Sequence, residues 1–126
     1  MKEIIITSEA PDPVGPYNQA VKAGNTLYLS GQIALNPANG SLVLDNIEDE
    51  THQVFKNLKA VLAKADMSFE NIVKCTVFVS DMNNYGRINT VYGEYFDDST
   101  APARELVEVA RLPKDVNVEI SAIAVK

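Results

Sequence analysis

The strongest constraint on the fold is the alternation of apolar side chains in the segment VNVEISAIAV, residues 116–125. Its even positions are all apolar, whereas its odd positions include Asn117, Glu119 and Ser121. Successive side chains of a β-strand point to opposite faces of a sheet. The segment is therefore predicted to be a strand that has one face in a core and the other face against a partly polar environment.

Five further segments have the composition and apolar pattern of strands: 3–7, 19–23, 27–35, 72–80 and 104–110. The turn residues Gly24-Asn25 predict a hairpin between the second and the third of these segments. If the turn RLPKD closes another hairpin, the segments 104–110 and 116–125 are neighbours in the sheet.

Two segments show the three- and four-residue spacing of apolar side chains that indicates amphipathic helices. They begin at Asn46 or Asp49 and at Asp81 or Asn83, and they end near Ala65 and Phe96, respectively. Single helices between strands imply two crossover connections and a mixed sheet. The predicted fold class is α+β, with residues 1–126 forming one two-layer domain that has both helices on one face of the sheet.

Charge and cysteine content narrow the classes of function. The net charge of −6 disfavours nucleic acid as the main ligand, because phosphates would be repelled. A single cysteine, Cys75, excludes an internal disulfide and fits a reducing compartment. No window approaches the roughly 20 apolar residues of a membrane span, and the N-terminal residues lack a signal-peptide pattern. We therefore expect a cytoplasmic protein without membrane association.

Arg104 begins a predicted strand, which is an unusual place for a guanidinium. By strand alternation it shares a face with Leu106, and with Glu119 if the RLPKD hairpin forms. Two interpretations follow: an ion pair with Glu108 or Glu119 across an interface between copies of the chain, or a bidentate clamp on the carboxylate of a ligand. This face, which is also predicted to carry Tyr28, mixes polar and large apolar side chains. It is expected to be buried against another copy of the chain.

Two short motifs bear on these interpretations. SGQI places Gly31 inside a strand, which marks either a bulge or the close approach of a ligand. In the second case the Gly31 N–H and the Ser30 hydroxyl would bind an anion beside Arg104. GPY places Tyr17 after a rigid turn, where its ring either leans over a pocket or packs on Pro16.

Other reactive side chains have simpler interpretations. His52, the only histidine, lies in the first turn of a predicted helix and is interpreted as a surface residue. Cys75 falls on the helix-covered face, which indicates a buried apolar role rather than a nucleophile. No metal-site spacing, catalytic triad, phosphate loop or dinucleotide motif is present, so no cofactor is expected.

The chain contains four motifs that bear on its family: GPY at 15–17, SGQI at 30–33, Asn89 in INTVY, and PAR followed by VEVARLPKDVNVEISAIAV. They resemble the Rid family, the YjgF-type reactive-intermediate deaminases, and most of all its imine-deaminase branch. The resemblance covers nearly the whole chain. It implies a homotrimer of chorismate-mutase-like subunits with three clefts between neighbouring subunits.

The resemblance also implies a reaction. The substrates would be 2-imino acids, namely 2-iminobutanoate and 2-iminopropanoate, and their enamine tautomers, which pyridoxal-phosphate dehydratases release from threonine or serine. Hydrolysis would give 2-oxo acids and ammonia without a metal or cofactor. By position, Arg104 would hold the substrate carboxylate with the assistance of Ser30 and Gly31, and Asn89 would help to shape the cleft.

Two further roles and two departures follow from the same resemblance. Tyr17 would close the cleft, and Glu119 would orient or protonate the substrate. Leu106 stands where this branch often has cysteine, and Glu105 where a small residue is usual. Leu106 would make the cleft more apolar and alter substrate preference, whereas Glu105 points to the face opposite Arg104 by strand alternation.

Three alternatives remain open at the level of sequence. The same arginine would serve a non-catalytic sensor of 2-oxo acids that acts on a partner enzyme. An RNA-cleaving translation inhibitor is disfavoured by the acidic charge, the lone histidine and the lack of an aromatic and basic platform. A chaperone-like oligomeric domain would leave Arg104 dispensable.

Overall fold

A six-stranded sheet carries two helices on one of its faces, in a computed structural model that describes residues 1–126. The strands are β1 Lys2–Ile5, β2 Ala20–Ala23, β3 Thr26–Gln32, β4 Ile72–Val79, β5 Ala103–Glu108 and β6 Val118–Val125. The helices are α1 Ile47–Lys64 and α2 Tyr85–Tyr92. The predicted α+β class, with both helices on one face of a mixed sheet, is confirmed.

The strand order is β1-β2-β3-β6-β4-β5. All neighbouring strands are antiparallel except β4 and β5, which are parallel. Helix α1 links β3 to β4 across the position of β6, and α2 links β4 to β5. The two predicted crossovers and the β2–β3 hairpin are therefore present.

The predicted hairpin around RLPKD is wrong. Strand β5 pairs only with β4, and β6 pairs with β3 and β4. The residues between β5 and β6, which include the 3-10 turn Pro113–Asp115, carry the chain past β4 to the middle of the sheet. The crossover through α2 places β5 parallel to β4 at the edge of the sheet. The next strand, β6, does not pair with β5 and lies on the other side of β4.

Local signals explain the helix boundaries. The Asn46 side chain accepts a hydrogen bond from the Asp49 backbone N–H at 2.8 Å and so caps α1. Helix α2 ends at Tyr92, four residues before the predicted end, because the next turn tightens. The backbone N–H of Tyr95 donates to the Tyr92 carbonyl oxygen, three residues back, at 3.1 Å. Neither helix is long and apolar enough to cross a bilayer.

The two faces of the sheet differ in composition. The helix-covered face is part of the hydrophobic core and includes Leu27, Leu29, Cys75, Val77, Val79, Val118, Ile120, Ala122 and Ala124. The opposite face, called the open face below, carries Ile4, Val21, Tyr28, Phe78, Val107, Glu119 and Ile123. The open face has no second layer over it.

Candidate functional site

The Arg104 guanidinium lies against helix α2, and its hydrogen bonds go to uncharged side chains. Nη1 donates to Asn89 Oδ1 at 2.8 Å, and Nη2 donates to the Tyr85 hydroxyl at 3.1 Å. The guanidinium carbon lies 4.7 Å from the centre of the Tyr92 ring and 5.7 Å from that of Tyr85. Both distances permit attraction between the cation and the aromatic ring. The α2 side chains thus hold the guanidinium without neutralising it.

Arg104 differs in this respect from the other two arginines of the chain. Each of those forms a two-point pair with a carboxylate: Arg87 with Glu48, and Arg111 with Asp115. Arg104 forms no ion pair. No ion pair with Glu108 or Glu119 forms within the chain, and such a pair across the interface between copies stays a prediction. Arg104 is the one arginine whose charge is left for an external anion.

A small pocket opens beside this guanidinium. Its volume is about 220 Å³. The lining residues, which define the Arg104 pocket, are Asn89, Tyr92, Gly93, Phe96, Asp98, Ala101, Pro102 and Arg104. The end of α2 forms one wall, and the residues that lead into β5 form the other.

A second, larger pocket surrounds Glu119. It has a volume of about 390 Å³. The lining residues, which define the Glu119 pocket, are Pro11, Asp12, Pro13, Val14, Tyr17, Gln19, Gly31, Gln32, Ile33, Leu35, Pro113, Lys114 and Glu119. Glu119 is half-buried, and this burial raises the pKa of its carboxyl above the usual value of 4.5. The pocket therefore contains a carboxyl group that is suited to proton transfer.

Gly31 makes room for the Glu119 carboxylate. The pairing of β3 with β6 shifts register between Leu29 and Gln32, which agrees with the bulge, one of the two interpretations of Gly31. A Cβ atom at Gly31 would lie 2.9 Å from Glu119 Cδ and 3.0 Å from Oε1. Any larger residue would displace the carboxylate. The Ser30 hydroxyl, by contrast, donates to the Asn18 carbonyl oxygen at 2.5 Å. The hydroxyl hydrogen is therefore not available to the anion that it was predicted to bind.

The prediction that Arg104 and Glu119 share one face is wrong. Arg104 is paired with Cys75 of β4, whereas Glu119 is paired with Phe78. Cys75 and Phe78 are three residues apart in one strand, so their side chains and those of their partners face opposite sides. The structure places Tyr17, Gly31 and Glu119 in one pocket, and Asn89 and Arg104 in another. Ser30 and Gly31 do not lie beside Arg104 in the same chain.

Comparisons with known proteins identify the family. The sequence model described as Endoribonuclease L-PSP matches residues 7–126. Over its whole length the chain is 52% identical to a RutC family protein of Pyrococcus horikoshii and covers 99% of it. It is also 44% identical over its whole length to the 2-iminobutanoate/2-iminopropanoate deaminase of Mus musculus, of which it covers 93%. The chain belongs to the Rid (endoribonuclease L-PSP) family.

A solved structure agrees with this assignment. The crystal structure of a Rid family protein of unknown function from Yersinia pestis has a TM-score of 0.96 with this chain, at 45% identity, and both chains are covered completely. The resemblance inferred from the four motifs is therefore confirmed at the level of the Rid family.

Two side chains that contact Arg104 in this Rid family member are not predicted as functional from the sequence. Tyr85 and Tyr92 stand four residues before and three residues after Asn89, so all three lie along one side of α2. In the sequence, that spacing indicates only the apolar face of a helix. Burial, with the Cys75 thiol nearby, raises the pKa of Tyr92, so its ring remains neutral beside Arg104.

The remaining predicted residues have the following positions. Leu106 shares the Arg104 side of β5 and Glu105 faces the opposite side, both as predicted. Leu106 packs against the core, however, so the prediction that it shares a face with Tyr28 is wrong. The Glu105 carboxylate lies 2.7 Å from Lys74 Nζ, which lowers the pKa of Glu105. Cys75 is fully buried, as predicted. His52 lies outside both pockets, with Nδ1 2.6 Å from the Tyr95 hydroxyl.

Replacing Glu119 by glutamine is expected to stabilise the protein at neutral pH. Burial gives the folded state the higher pKa, so folding favours the protonated carboxyl, and stability is lost as pH rises from 4.5 through the raised pKa. The melting temperature of Glu119→Gln should therefore exceed that of the wild type at neutral pH, and the difference should shrink below pH 4.5.

Glu105→Gln is the matched control, because Lys74 lowers the pKa of this exposed carboxyl. It should leave stability at neutral pH unchanged or slightly reduced. A Glu119→Gln variant that melts below the wild type at neutral pH would contradict the placement of an ionisable carboxyl in a partly desolvated pocket.

Proposed function

We propose that this chain hydrolyses 2-imino acids, such as 2-iminobutanoate and 2-iminopropanoate, and their enamine tautomers to 2-oxo acids and ammonia. The observation that carries the proposal is the unpaired Arg104 guanidinium, held by Asn89 and Tyr85 and placed over the Tyr92 ring. Its planar fork suits a carboxylate, the one group that all these substrates share. The name of the mouse relative supports the same substrate class.

The proposed assembly is a homotrimer in which the open faces of the sheets are turned inward. Large apolar side chains on this face are accessible in the single chain: Ile4, Tyr28 and Val107 are 39%, 51% and 42% exposed. Such a surface is typical of contact between subunits. The separation of the two pockets supports a cleft between copies, with the Arg104 pocket of one subunit facing the Glu119 pocket of its neighbour. The number three rests on the family resemblance.

In the proposed mechanism Arg104 binds the substrate carboxylate through two N–H groups and so fixes the position of the neighbouring imine carbon. A water molecule adds to that carbon while the Glu119 carboxylate accepts its proton. This forms a C–O bond and moves the C=N electron pair onto nitrogen. Starting from the protonated imine, this addition leaves a neutral amine, to which Glu119 returns the proton. The C–N bond then breaks as an oxygen lone pair forms the C=O bond, and the hydroxyl proton passes to the Glu119 carboxylate and on to the departing ammonia. The 2-oxo acid and ammonium are released.

The rate enhancement required of the protein is modest. Acid–base assistance by a positioned side chain contributes about 10²–10⁴-fold, and these imines also hydrolyse in water without a catalyst. The raised pKa of Glu119, caused by burial, makes its carboxylate a better proton acceptor than an exposed one. Tyr17 lines the same pocket and would close it over the substrate, and Asn89 would keep Arg104 oriented. The mechanism uses no cofactor.

The proposed source of substrate is a pyridoxal-phosphate dehydratase that acts on threonine or serine, and the proposed compartment is the cytoplasm. The absence of any disulfide at the buried Cys75 fits a reducing environment. Hydrolysis by this chain would remove the reactive imine before it modifies other proteins.

A coupled assay tests the function. A threonine dehydratase is supplied with threonine, and the initial rate of 2-oxobutanoate formation is followed in the presence of semicarbazide, which captures the free imine. Adding the protein should increase the early rate of 2-oxobutanoate formation and decrease semicarbazone formation, whereas heat-denatured protein should do neither. Unchanged rates with measurable 2-oxobutanoate binding would support the sensor alternative instead.

The family description also names an endoribonuclease, but the site gives this activity little support. The net charge is −6, and the only histidine contacts Tyr95 outside both pockets. RNA binding that weakens steeply with added salt would be the observation in its favour.

A further inference from the structure

Lys114 lines the Glu119 pocket and has an unusual backbone conformation. Its φ and ψ angles are 56° and 20°, in the left-handed region, and the following Asp115 has a φ of 57°. Residues with a Cβ atom enter this region at a cost, and such strained positions cluster at ligand sites. Glycine would adopt the same turn more easily. The presence of lysine therefore points to a use for its side chain.

The turn that carries Lys114 is fixed by its neighbours. Arg111 donates to both carboxylate oxygens of Asp115, at 2.6 and 3.1 Å. The Asp115 backbone N–H donates to the Leu112 carbonyl oxygen at 3.0 Å. Asp115 is thus engaged within the turn, whereas Lys114 forms no ion pair. Of the charged residues of this turn, only Lys114 lines the Glu119 pocket.

The charges around the Glu119 pocket would repel an anionic substrate if no cation offset them. Two of its lining residues, Asp12 and Glu119, are acidic, and Lys114 is the only basic one. The whole chain also carries a net charge of −6. A 2-imino acid or 2-oxo acid bears a carboxylate, so without Lys114 both the protein and the pocket would repel it. A local positive charge raises the concentration of an anion at the mouth of a cleft.

We propose that Lys114 is a substrate-binding residue that attracts the anionic acid into the Glu119 pocket before Arg104 takes its carboxylate. The inference rests on the proposed function for the identity of the anion. It differs from the role of Arg104, because a flexible ammonium at the rim acts through charge, whereas the guanidinium fork acts through geometry.

Lys114→Met tests the charge at nearly constant length. We expect KM for the imine to rise about three- to tenfold with kcat unchanged, and the dependence of kcat/KM on NaCl to flatten. Lys114→Arg should restore both. Lys59→Met is the matched control, because Lys59 is exposed on α1, forms no ion pair and gives the same change in net charge. It should behave as the wild type.

Lys114→Gly separates charge from folding. It removes the ammonium and the strained conformation together, so KM should rise as in Lys114→Met while the melting temperature stays equal or increases. The proposal is overturned if Lys114→Met keeps the wild-type KM and salt dependence, or if Lys59→Met changes them equally. If the wild type hydrolyses no imine, the proposed function fails. Calorimetric titration of the wild type and of Lys114→Met with 2-oxobutanoate still decides whether Lys114 attracts the acid.

Discussion

Replacing Arg104 by alanine is expected to lower kcat/KM for imine hydrolysis by about 10²–10⁴-fold, because two hydrogen bonds to a charged group are worth about 1.5–3 kcal/mol each. Arg104→Lys keeps the charge but loses the planar fork, so its loss should be smaller yet still at least about tenfold. The fold should persist, since the side chains bonded to the guanidinium, Asn89 and Tyr85, are themselves exposed to water. Steady-state kinetics and circular dichroism measure the two effects.

Arg87→Ala is the control for loss of a surface arginine. Arg87 is bound to Glu48 on the helices and lines neither pocket. Its replacement should leave kcat/KM within about twofold of the wild type, in line with the small contribution of exposed ion pairs. If Arg104→Ala and Arg104→Lys both retain wild-type activity, the carboxylate clamp is wrong.

Mixing two inactive variants is expected to restore activity. Glu119→Gln removes the proposed proton acceptor and Arg104→Ala removes the proposed clamp, so the proposed homotrimer of either variant lacks a complete cleft. In trimers refolded together from equal amounts, a cleft between an intact Arg104 and a neighbouring intact Glu119 arises at random in about one quarter of cases. The mixture should therefore recover about one quarter of wild-type activity, measured in the imine assay after joint refolding.

The double variant with both replacements provides the control. Refolded with Arg104→Ala, it contains no intact Arg104 in any subunit and should remain inactive at every ratio. Recovery in the first mixture but not in this one would identify a site shared between chains. Failure of the first mixture, with each variant folded and assembled, would contradict the shared cleft without affecting the role of Arg104.

Features of the fold that depend on local sequence could be predicted. The alternation in 116–125 correctly identifies β6, and Asn46 correctly marks the start of α1, because side-chain periodicity and capping are properties of a few consecutive residues. The bulge at Gly31 was likewise one of the two interpretations of a glycine within a strand.

The choice of strand partners could not be predicted in the same way. RLPKD is compatible both with a tight hairpin and with the observed 3-10 turn, and only the packing of α2 against the sheet places β5 beside β4. Because of this pairing, Arg104 lies in the pocket beside α2 and not in the pocket around Glu119. The alternation of side chains within its own strand nevertheless agrees with the prediction. The contact of Arg104 with Tyr85, Asn89 and Tyr92 follows from the same packing, so no local pattern could indicate it.

The central position of β6 affects how the molecule is made on the ribosome. β6 lies between β3 and β4, although it is translated after both of them. Until residues 118–125 emerge, the sheet exists as two unjoined halves, and core side chains such as Leu29 and Val77 lack their neighbours in β6. A nascent chain in this state presents apolar surface of the kind that chaperones shield. Strand β6 both carries Glu119 and joins the two halves of the sheet. The Glu119 pocket therefore forms only when the sheet is complete.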